Sequence, residues 1–281
     1  MEDTLKNLRD SLIPLYGKGE TEAIIRLIFH YLKGWSLTDM LIHKKDELSD
    51  YMKGEVQEIL KRLLAYEPIQ YITGEVRFHG LDLKISPGVL IPRTETEELV
   101  DIIIEENRNK EGLRILDVCT GSGCIAFALS RDLPFSSITA IDFSENALKV
   151  ALENNEALKT KVIFIKDDIF TWNPSDKFDI IVSNPPYVLD HEALTMDKNV
   201  LNYEPHEALF VRDEDPLIFY SRISDIAKES LTEVGRLYFE INPLEAENLK
   251  RLIISKGFSD VDLIRDTYGK LRFLSCVKDK W

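Results

Sequence analysis

Cysteine is scarce in this chain: three residues in 281, at positions 119, 124 and 276, with no C-x-x-C pair among them. That odd, scattered set excludes a disulfide scaffold and a cysteine metal knuckle, and it fits small buried thiols in a reducing compartment. No apolar run reaches the ~18–20 residues of a membrane span. Met1-Glu2-Asp3-Thr4 is an acidic start without the apolar core of a signal peptide. His30, His43, His79, His191 and His206 have no ligand-like spacing, so no metal site is expected. A basic stripe is missing too. Lys and Arg total 35 against 49 Asp and Glu, a net charge of −14. Proteins that grip nucleic acid carry a basic footprint to neutralise phosphates. Direct nucleic-acid contact is therefore not expected, and an acidic surface suits a basic protein partner better. Internal repeats and low-complexity segments are absent. The expectation is a cytoplasmic chain, monomeric and unattached to membranes.

What is present is ordinary globular material, 44% hydrophobic and 30% charged, and long enough for two modest domains. Residues 1–70 read as a helical domain. Ile24, Leu27, Ile28 and Tyr31 recur at helical spacing, as do Leu60, Leu63 and Leu64. Thr38 to Met40 and Lys44-Lys45 read as connections and surface. Residues 71–92 change character. Val76-Arg77-Phe78 and Leu81 to Ile85 flank His79-Gly80 as a β-hairpin connector, followed by Pro87, Gly88 and Pro92. Residues 93–281 alternate helix and strand, which predicts a mostly parallel sheet. Helices are expected over 95–106, 147–158, 217–231 and 244–256. A terminal hairpin is expected from 261–264 and 271–277. Residues 188–214 form a longer connection than usual, the kind used for lids or binding loops.

Ile115 to Ala126 reads as strand, glycine turn and helix. Cys119, Thr120, Gly121, Ser122 and Gly123 form the turn. Its glycines admit positive φ and close approach of a ligand to the backbone, and the following helix offers free N–H groups. A dinucleotide fingerprint would want a third glycine where Ala126 stands. A phosphate cradle would want a lysine. Both are missing, and the turn suits a small cofactor with an amino-acid moiety better than a pyrophosphate. The next strand, 137–142, ends in Asp142, about 20 residues past the turn, where a carboxylate accepts hydrogen bonds from ribose hydroxyls. A third strand, 161–166, leads to Asp167-Asp168 and Ile169, where an acid could meet an adenine amino group. Acids and glycines at successive strand ends match the carboxyl-edge ligand sites of open α/β sheets.

The strand 178–183 runs into Asn184-Pro185-Pro186-Tyr187. A residue before proline is biased to extended backbone, and proline has fixed φ and no N–H. What remains is a stiff pair of acceptors, the Asn184 side-chain oxygen and the Pro185 carbonyl. Together they suit both hydrogens of a conjugated amino group. Tyr187 is expected against the flat face of that group.

Three stretches together, Asp117 to Gly123, Asp142 and Asn184 to Tyr187, resemble the class I S-adenosyl-L-methionine methyltransferases that act on planar nitrogen. Gln70-Tyr71-Ile72-Thr73-Gly74-Glu75, Leu90 to Glu97 and Tyr203-Glu204-Pro205 narrow the resemblance to the release factor glutamine N5-methyltransferases. It runs from about residue 65 to the end, with the N-terminal part similar in length and helical character. Cys119 stands where that family carries glycine, and Thr94 where it carries proline.

The resemblance implies a Rossmann-like α/β fold with a seven-stranded sheet and a small N-terminal helical domain for substrate recognition. It also implies transfer of a methyl group from S-adenosyl-L-methionine to a glutamine side-chain amide, in the Gly-Gly-Gln motif of peptide-chain release factors. The implied cofactor residues are Cys119, Thr120, Gly121, Ser122, Gly123, Asp142, Asp168, Ile169 and Asn184. Asn184, Pro185, Pro186 and Tyr187 would hold substrate, with Asn184, Pro185 and Tyr187 catalytic. The alternative from the same four residues is methylation of adenine N6 or another exocyclic base amine. A non-enzymatic binding module would need less than this set of intact site residues.

Overall fold

A computed structural model describes residues 1–279. The chain forms two compact units, residues 1–75 with 197–203, and residues 76–196 with 204–281. The division falls inside the segment set apart above as a connector, and the hairpin belongs almost wholly to the second unit.

The first unit is helical. It holds α1 (Glu2–Lys33), α2 (Leu37–Ile42), α3 (Asp50–Leu64), α4 (Ile69–Thr73) and, from far along the chain, α8 (Lys198–Tyr203). Helix α1 breaks at Gly17, whose φ of 73° and ψ of 167° no helix contains. Leu8, Leu12, Ile25, Ile28, Phe29, Val56 and Leu63 fill its core. The buried stripe on α1 is Ile24, Ile25, Ile28 and Phe29, while Leu27 and Tyr31 face solvent. Spacing alone had grouped Leu27 and Tyr31 with the core. A helix face about 100° wide takes positions on either side of its centre, and here it is centred one residue away. Thr38 to Met40 is helix, not connection. Ser36 and Asp39 close a reciprocal capping box, with Asp39 N 3.2 Å from Ser36 Oγ and Ser36 N 2.9 Å from Asp39 Oδ2.

The second unit opens with the hairpin β1 (Glu75–Phe78) and β2 (Leu81–Lys84). Then come α5 (Thr94–Asn107), β3 (Arg114–Val118), α6 (Cys124–Asp132), β4 (Ser137–Asp142), α7 (Glu145–Leu158), β5 (Ile163–Lys166) and β6 (Phe178–Ser183). The long connection holds two short strands, β7 (Val188–Leu189) and β8 (Phe210–Val211), and a short helix α9 (His206–Leu209). α10 (Ile218–Ser230), β9 (Leu231–Glu240), α11 (Ala246–Ser255), β10 (Phe258–Arg265) and β11 (Leu271–Lys278) complete it.

The seven-stranded sheet has the order β10-β11-β9-β6-β3-β4-β5, and β9 through β5 run parallel. The antiparallel pair β10 and β11 closes one edge. Alternate residues point to opposite faces, so each strand feeds two cores. Ile115, Ile180 and Tyr238 pack under α5 and α6 with Leu99, Ile103 and Phe127. Leu116, Ile181 and Leu237 pack under α10 and α11 with Tyr220, Ile223 and Leu249. Truncating the fully buried Phe127 to alanine costs about 3–5 kcal/mol by the usual scale of aromatic core deletions.

One register decides where function falls. Val118 pairs with Ile141 and with Ser183, and Ser183 pairs with Phe239. The next residue on each strand is therefore Cys119, Asp142, Asn184 and Glu240. Four strands deliver a thiol, two carboxylates and an amide in one row at the carboxyl edge. The chain also reverses direction across the sheet here: from β3 it builds outward through β4 and β5, then returns to add β6 on the other side. Such switch points are where open α/β sheets bind ligands. Among the described residues, no helix is long and apolar enough to cross a membrane.

Candidate active site

A cavity of about 350 Å³ lies at this edge. The turn contributes Cys119 and Gly121, β4 and its exit contribute Asp142, Phe143 and Ser144, and the exit of β5 contributes Asp167, Asp168, Ile169 and Phe170. Asn184 and Pro186 line it from the exit of β6. Gly88 to Leu90, Pro205, Glu207, Ala208, Phe210 and Phe219 complete the wall.

The turn is built from beneath. Asp117, wholly buried, accepts a hydrogen bond at Oδ2 from the Thr120 hydroxyl at 2.6 Å. Burial pushes its carboxyl up to about 7, while the Thr120 hydroxyl and the Ala126 N–H pull it back down. Thr120 N donates to the Ile141 carbonyl at 3.1 Å, and Gly123 N to the Thr120 carbonyl at 2.9 Å. Asp142 Oδ2 accepts from Gly121 N at 2.8 Å, and its Oδ1 from Ser144 N at 2.9 Å. Burial raises the Asp142 carboxyl, opposed by those two N–H groups. Each carboxylate oxygen keeps a second lone pair for a ligand hydroxyl. Asn154 clips the turn to the hairpin. Its Oδ1 accepts from Lys84 N at 2.7 Å, and its Nδ2 donates to the carbonyls of Lys84 at 3.1 Å and Ser122 at 3.3 Å.

The two glycines of the turn do different work. Gly121 has φ +57°, and a Cβ added there would meet nothing within 4 Å. Gly123 has φ +83°, and a Cβ there would meet Phe127 Cε2 at 2.5 Å. Gly121 keeps the cavity floor open, and Gly123 lets α6 pack. Cys119 also adopts positive φ, 60°, and burial holds its thiol well above the usual range, so it stays protonated.

The corner after β6 is held by side chains from distant elements. Ser183 Oγ donates to the Val118 carbonyl at 2.7 Å, joining it to the turn. Tyr187 Oη donates to Glu240 Oε1 at 2.9 Å, and Thr96 Oγ1 donates to Glu240 Oε2 at 2.7 Å. Asn184 Nδ2 donates to Thr96 Oγ1 at 3.3 Å. Asn242 Nδ2 donates to the Tyr187 carbonyl at 3.1 Å. Burial raises the Glu240 carboxyl, opposed first by Thr96 and Tyr187. Burial and Glu240 together hold the Tyr187 phenol well above its ordinary range. Glu204 plays a similar part on the far wall. Buried, it accepts from Ile91 N at 3.2 Å and from Arg93 at 2.6 Å, and so fixes the segments that carry Leu90 and Pro205.

The structure brings Cys119, Gly121, Asp142, Asp168, Ile169, Asn184 and Pro186 to the cavity. Thr120, Ser122, Gly123, Pro185 and Tyr187 do not line it. Thr120 turns its hydroxyl down to Asp117, Ser122 is buried, Gly123 faces Phe127, and Tyr187 turns its hydroxyl to Glu240. Reading the sequence missed Thr96, Glu207 and Glu240, and the aromatic wall of Phe170 and Phe219, whose rings lie 5.2 Å apart. Glu240 had a signal: it ends a buried strand as Asp142 does. Phe219 had none, because it lies on α10, remote in sequence.

These walls fit a cationic cofactor that carries a flat ring. Asp142, Asp167, Asp168 and Glu207 gather negative charge, which favours a sulfonium or ammonium group. Ile169, Phe170 and Phe219 offer apolar surface for a ring, and Gly121 leaves space at the turn. Among the described residues, no group of three or more His, Cys, Asp or Glu is placed to hold a metal ion.

The sheet order and the site at its carboxyl edge define a class I methyltransferase. The methyltransferase small domain family matches residues 93–203, and the PrmC N-terminal domain family matches residues 5–74. A solved methyltransferase from Pyrococcus furiosus has the same fold, with a TM-score of 0.53 at 19% identity, over 80% of this chain and 100% of that one. A release factor glutamine methyltransferase of Bacteroides thetaiotaomicron is 44% identical over 270 residues, 95% of this chain and 96% of that one. One from Flavobacterium psychrophilum is 40% identical over 281 positions, 96% of this chain and 98% of its own. This chain belongs to the release factor glutamine methyltransferase family.

Proposed function

We propose that this protein methylates the side-chain amide nitrogen of a glutamine in peptide-chain release factors, with S-adenosyl-L-methionine as methyl donor. The observation that carries the reading is the proline corner, whose Asn184 and Pro186 line a carboxylate-walled cavity and whose place beside the glycine turn is set by strand register.

A carboxamide nitrogen is a poor nucleophile because its lone pair is shared with the carbonyl, and the ~18–20 kcal/mol barrier to amide rotation gives the scale of that sharing. Asn184 Oδ1 and the Pro185 carbonyl accept the two N–H bonds of the substrate amide and aim its lone pair. As the nitrogen forms its new bond to carbon, positive charge builds on it and both acceptors strengthen. Charge-assisted hydrogen bonds contribute roughly 1.5–3 kcal/mol each. Holding the reactants in line contributes about 7–11 kcal/mol, so positioning is the larger effect. Bound S-adenosyl-L-methionine supplies the methyl group and keeps the electron pair of the bond that breaks. The Glu240 carboxylate behind the corner already accepts from Thr96 and Tyr187, and the nitrogen gives its proton to water after transfer.

Asp142 takes the ribose hydroxyls, Gly121 and Cys119 the amino-acid moiety, and Asp168 with Ile169 the adenine edge. The N-terminal unit serves recognition of the large substrate. The test is mass spectrometry of a release factor after incubation with enzyme and donor. One methyl group on one glutamine side chain is expected. An unmodified release factor, with methylated DNA or RNA in parallel incubations, would overturn the reading.

A further inference from the structure

A carboxamide is ambiguous: turned one way it offers an acceptor to the site, turned the other way a donor. Only the acceptor serves a substrate N–H. Something must therefore decide which way Asn184 faces, and the residues around it do so by counting protons.

Glu240 is 1% exposed, and its two oxygens receive the hydroxyls of Thr96 and Tyr187. A hydroxyl has one proton to give. Thr96, itself 2% exposed, spends that proton on Glu240 at 2.7 Å. What it then turns toward Asn184 is a lone pair. An amide oxygen against that lone pair would be repelled, so the –NH₂ group must face Thr96, at 3.3 Å. Oδ1 is left pointing away from Thr96.

We propose that Thr96 and Glu240 are positioning residues, a one-way hydrogen-bond chain that locks the Asn184 amide with its oxygen toward the substrate nitrogen. The proposal rests on the reading of Asn184 as the acceptor in amide methylation. Neither residue touches the reacting atoms. Glu240 sets the direction, Thr96 transmits it, and Tyr187 occupies the second oxygen, so that Glu240 remains an acceptor to both.

The test compares Thr96→Val, which keeps the shape and loses the hydroxyl, with Thr96→Ser, which keeps the hydroxyl. Each full-length variant is assayed on a release factor and titrated with S-adenosyl-L-methionine by calorimetry. Thr96→Val is expected to lower kcat about 10- to 100-fold, by analogy with loss of one preorganised polar group. KM for the release factor and Kd for the donor should stay within about threefold, and Thr96→Ser should keep most of the wild-type kcat. A Thr96→Val enzyme at wild-type kcat would overturn the proposal. If Asn184→Ala is then inactive, the corner stands without its relay; if it too is fully active, the functional reading falls with it. Should Thr96→Val fail to fold, the wild-type protein decides. In spectra of the donor-free enzyme, the Asn184 side-chain amide protons should show Overhauser contacts to the Thr96 methyl. Absence of those contacts would refute the orientation.

Discussion

The glycine turn after β3 and the proline corner after β6 lie side by side at one sheet edge, yet they are held in different ways. The turn is held mainly from its own neighbourhood: Asp117 and Thr120 are three residues apart, and Gly121 leans on Asp142 at the end of the adjacent strand. The corner is held from afar. Thr96 lies 88 residues before Asn184, and Glu240 lies 53 residues beyond Tyr187. The turn needs a backbone shape, which glycine supplies. The corner needs a side-chain orientation, which only converging partners supply. On the proposed reading, a binding site for a cofactor and a site that aims a reactant thus place different demands on the same fold.

Breaking the turn should cost the most in stability. Gly123→Ala puts a methyl group 2.5 Å from Phe127 Cε2 at a φ of +83°. Overpacking and left-handed backbone together predict a loss of about 3 kcal/mol in denaturant unfolding. A loss below about 1 kcal/mol would mean that α6 shifts freely. Next comes the carboxylate that spans the turn. Asp142→Asn leaves one of the Gly121 and Ser144 N–H groups without its acceptor. Calorimetry should show donor affinity falling about 10- to 100-fold, with kcat at saturation little changed. A fall in kcat with affinity intact would move Asp142 from binding into the chemistry.

Asp117 gives a pH signature. Its carboxyl rises from 3.8 unfolded to about 7 folded, so the folded state holds a proton that the unfolded state releases. The sign follows: this stabilisation is whole below about pH 3.8 and is lost as pH climbs through about 7. Between those limits the Tm of the wild type should lose roughly 5 °C relative to Asp117→Asn. A constant difference between the two would show Asp117 ionised throughout. The smallest effect belongs to Cys119→Gly. Glycine accepts the φ of 60° without strain but gives up a half-buried side chain, so stability should move by no more than about 1 kcal/mol. A large loss would make the thiol a structural member of the turn.

The same contrast governs what could be read from the chain. The Rossmann-like sheet was legible because buried parallel strands are short apolar runs separated by helices, and six of its seven strands fall close to where the pattern set them. Gly121, Asp142 and Asn184 were legible because each sits at the end of such a run. The Ser36–Asp39 capping box was legible in principle but was masked by the brevity of α2. Thr96 was not legible. Within Thr94-Glu95-Thr96-Glu97 nothing marks the second threonine, and its role exists only once β9 brings Glu240 beneath it. The Tyr187 hydroxyl escaped for the same reason: its acceptor arrives from another strand.

The central claim is that the corner aims the amide and the turn does not. Asn184→Ala is its most direct test, with methyl transfer to a release factor in single turnover measured beside donor binding. The account predicts a transfer rate lower by about 100-fold or more, with donor affinity changed less than about tenfold. A variant that transfers methyl at the wild-type rate would contradict it.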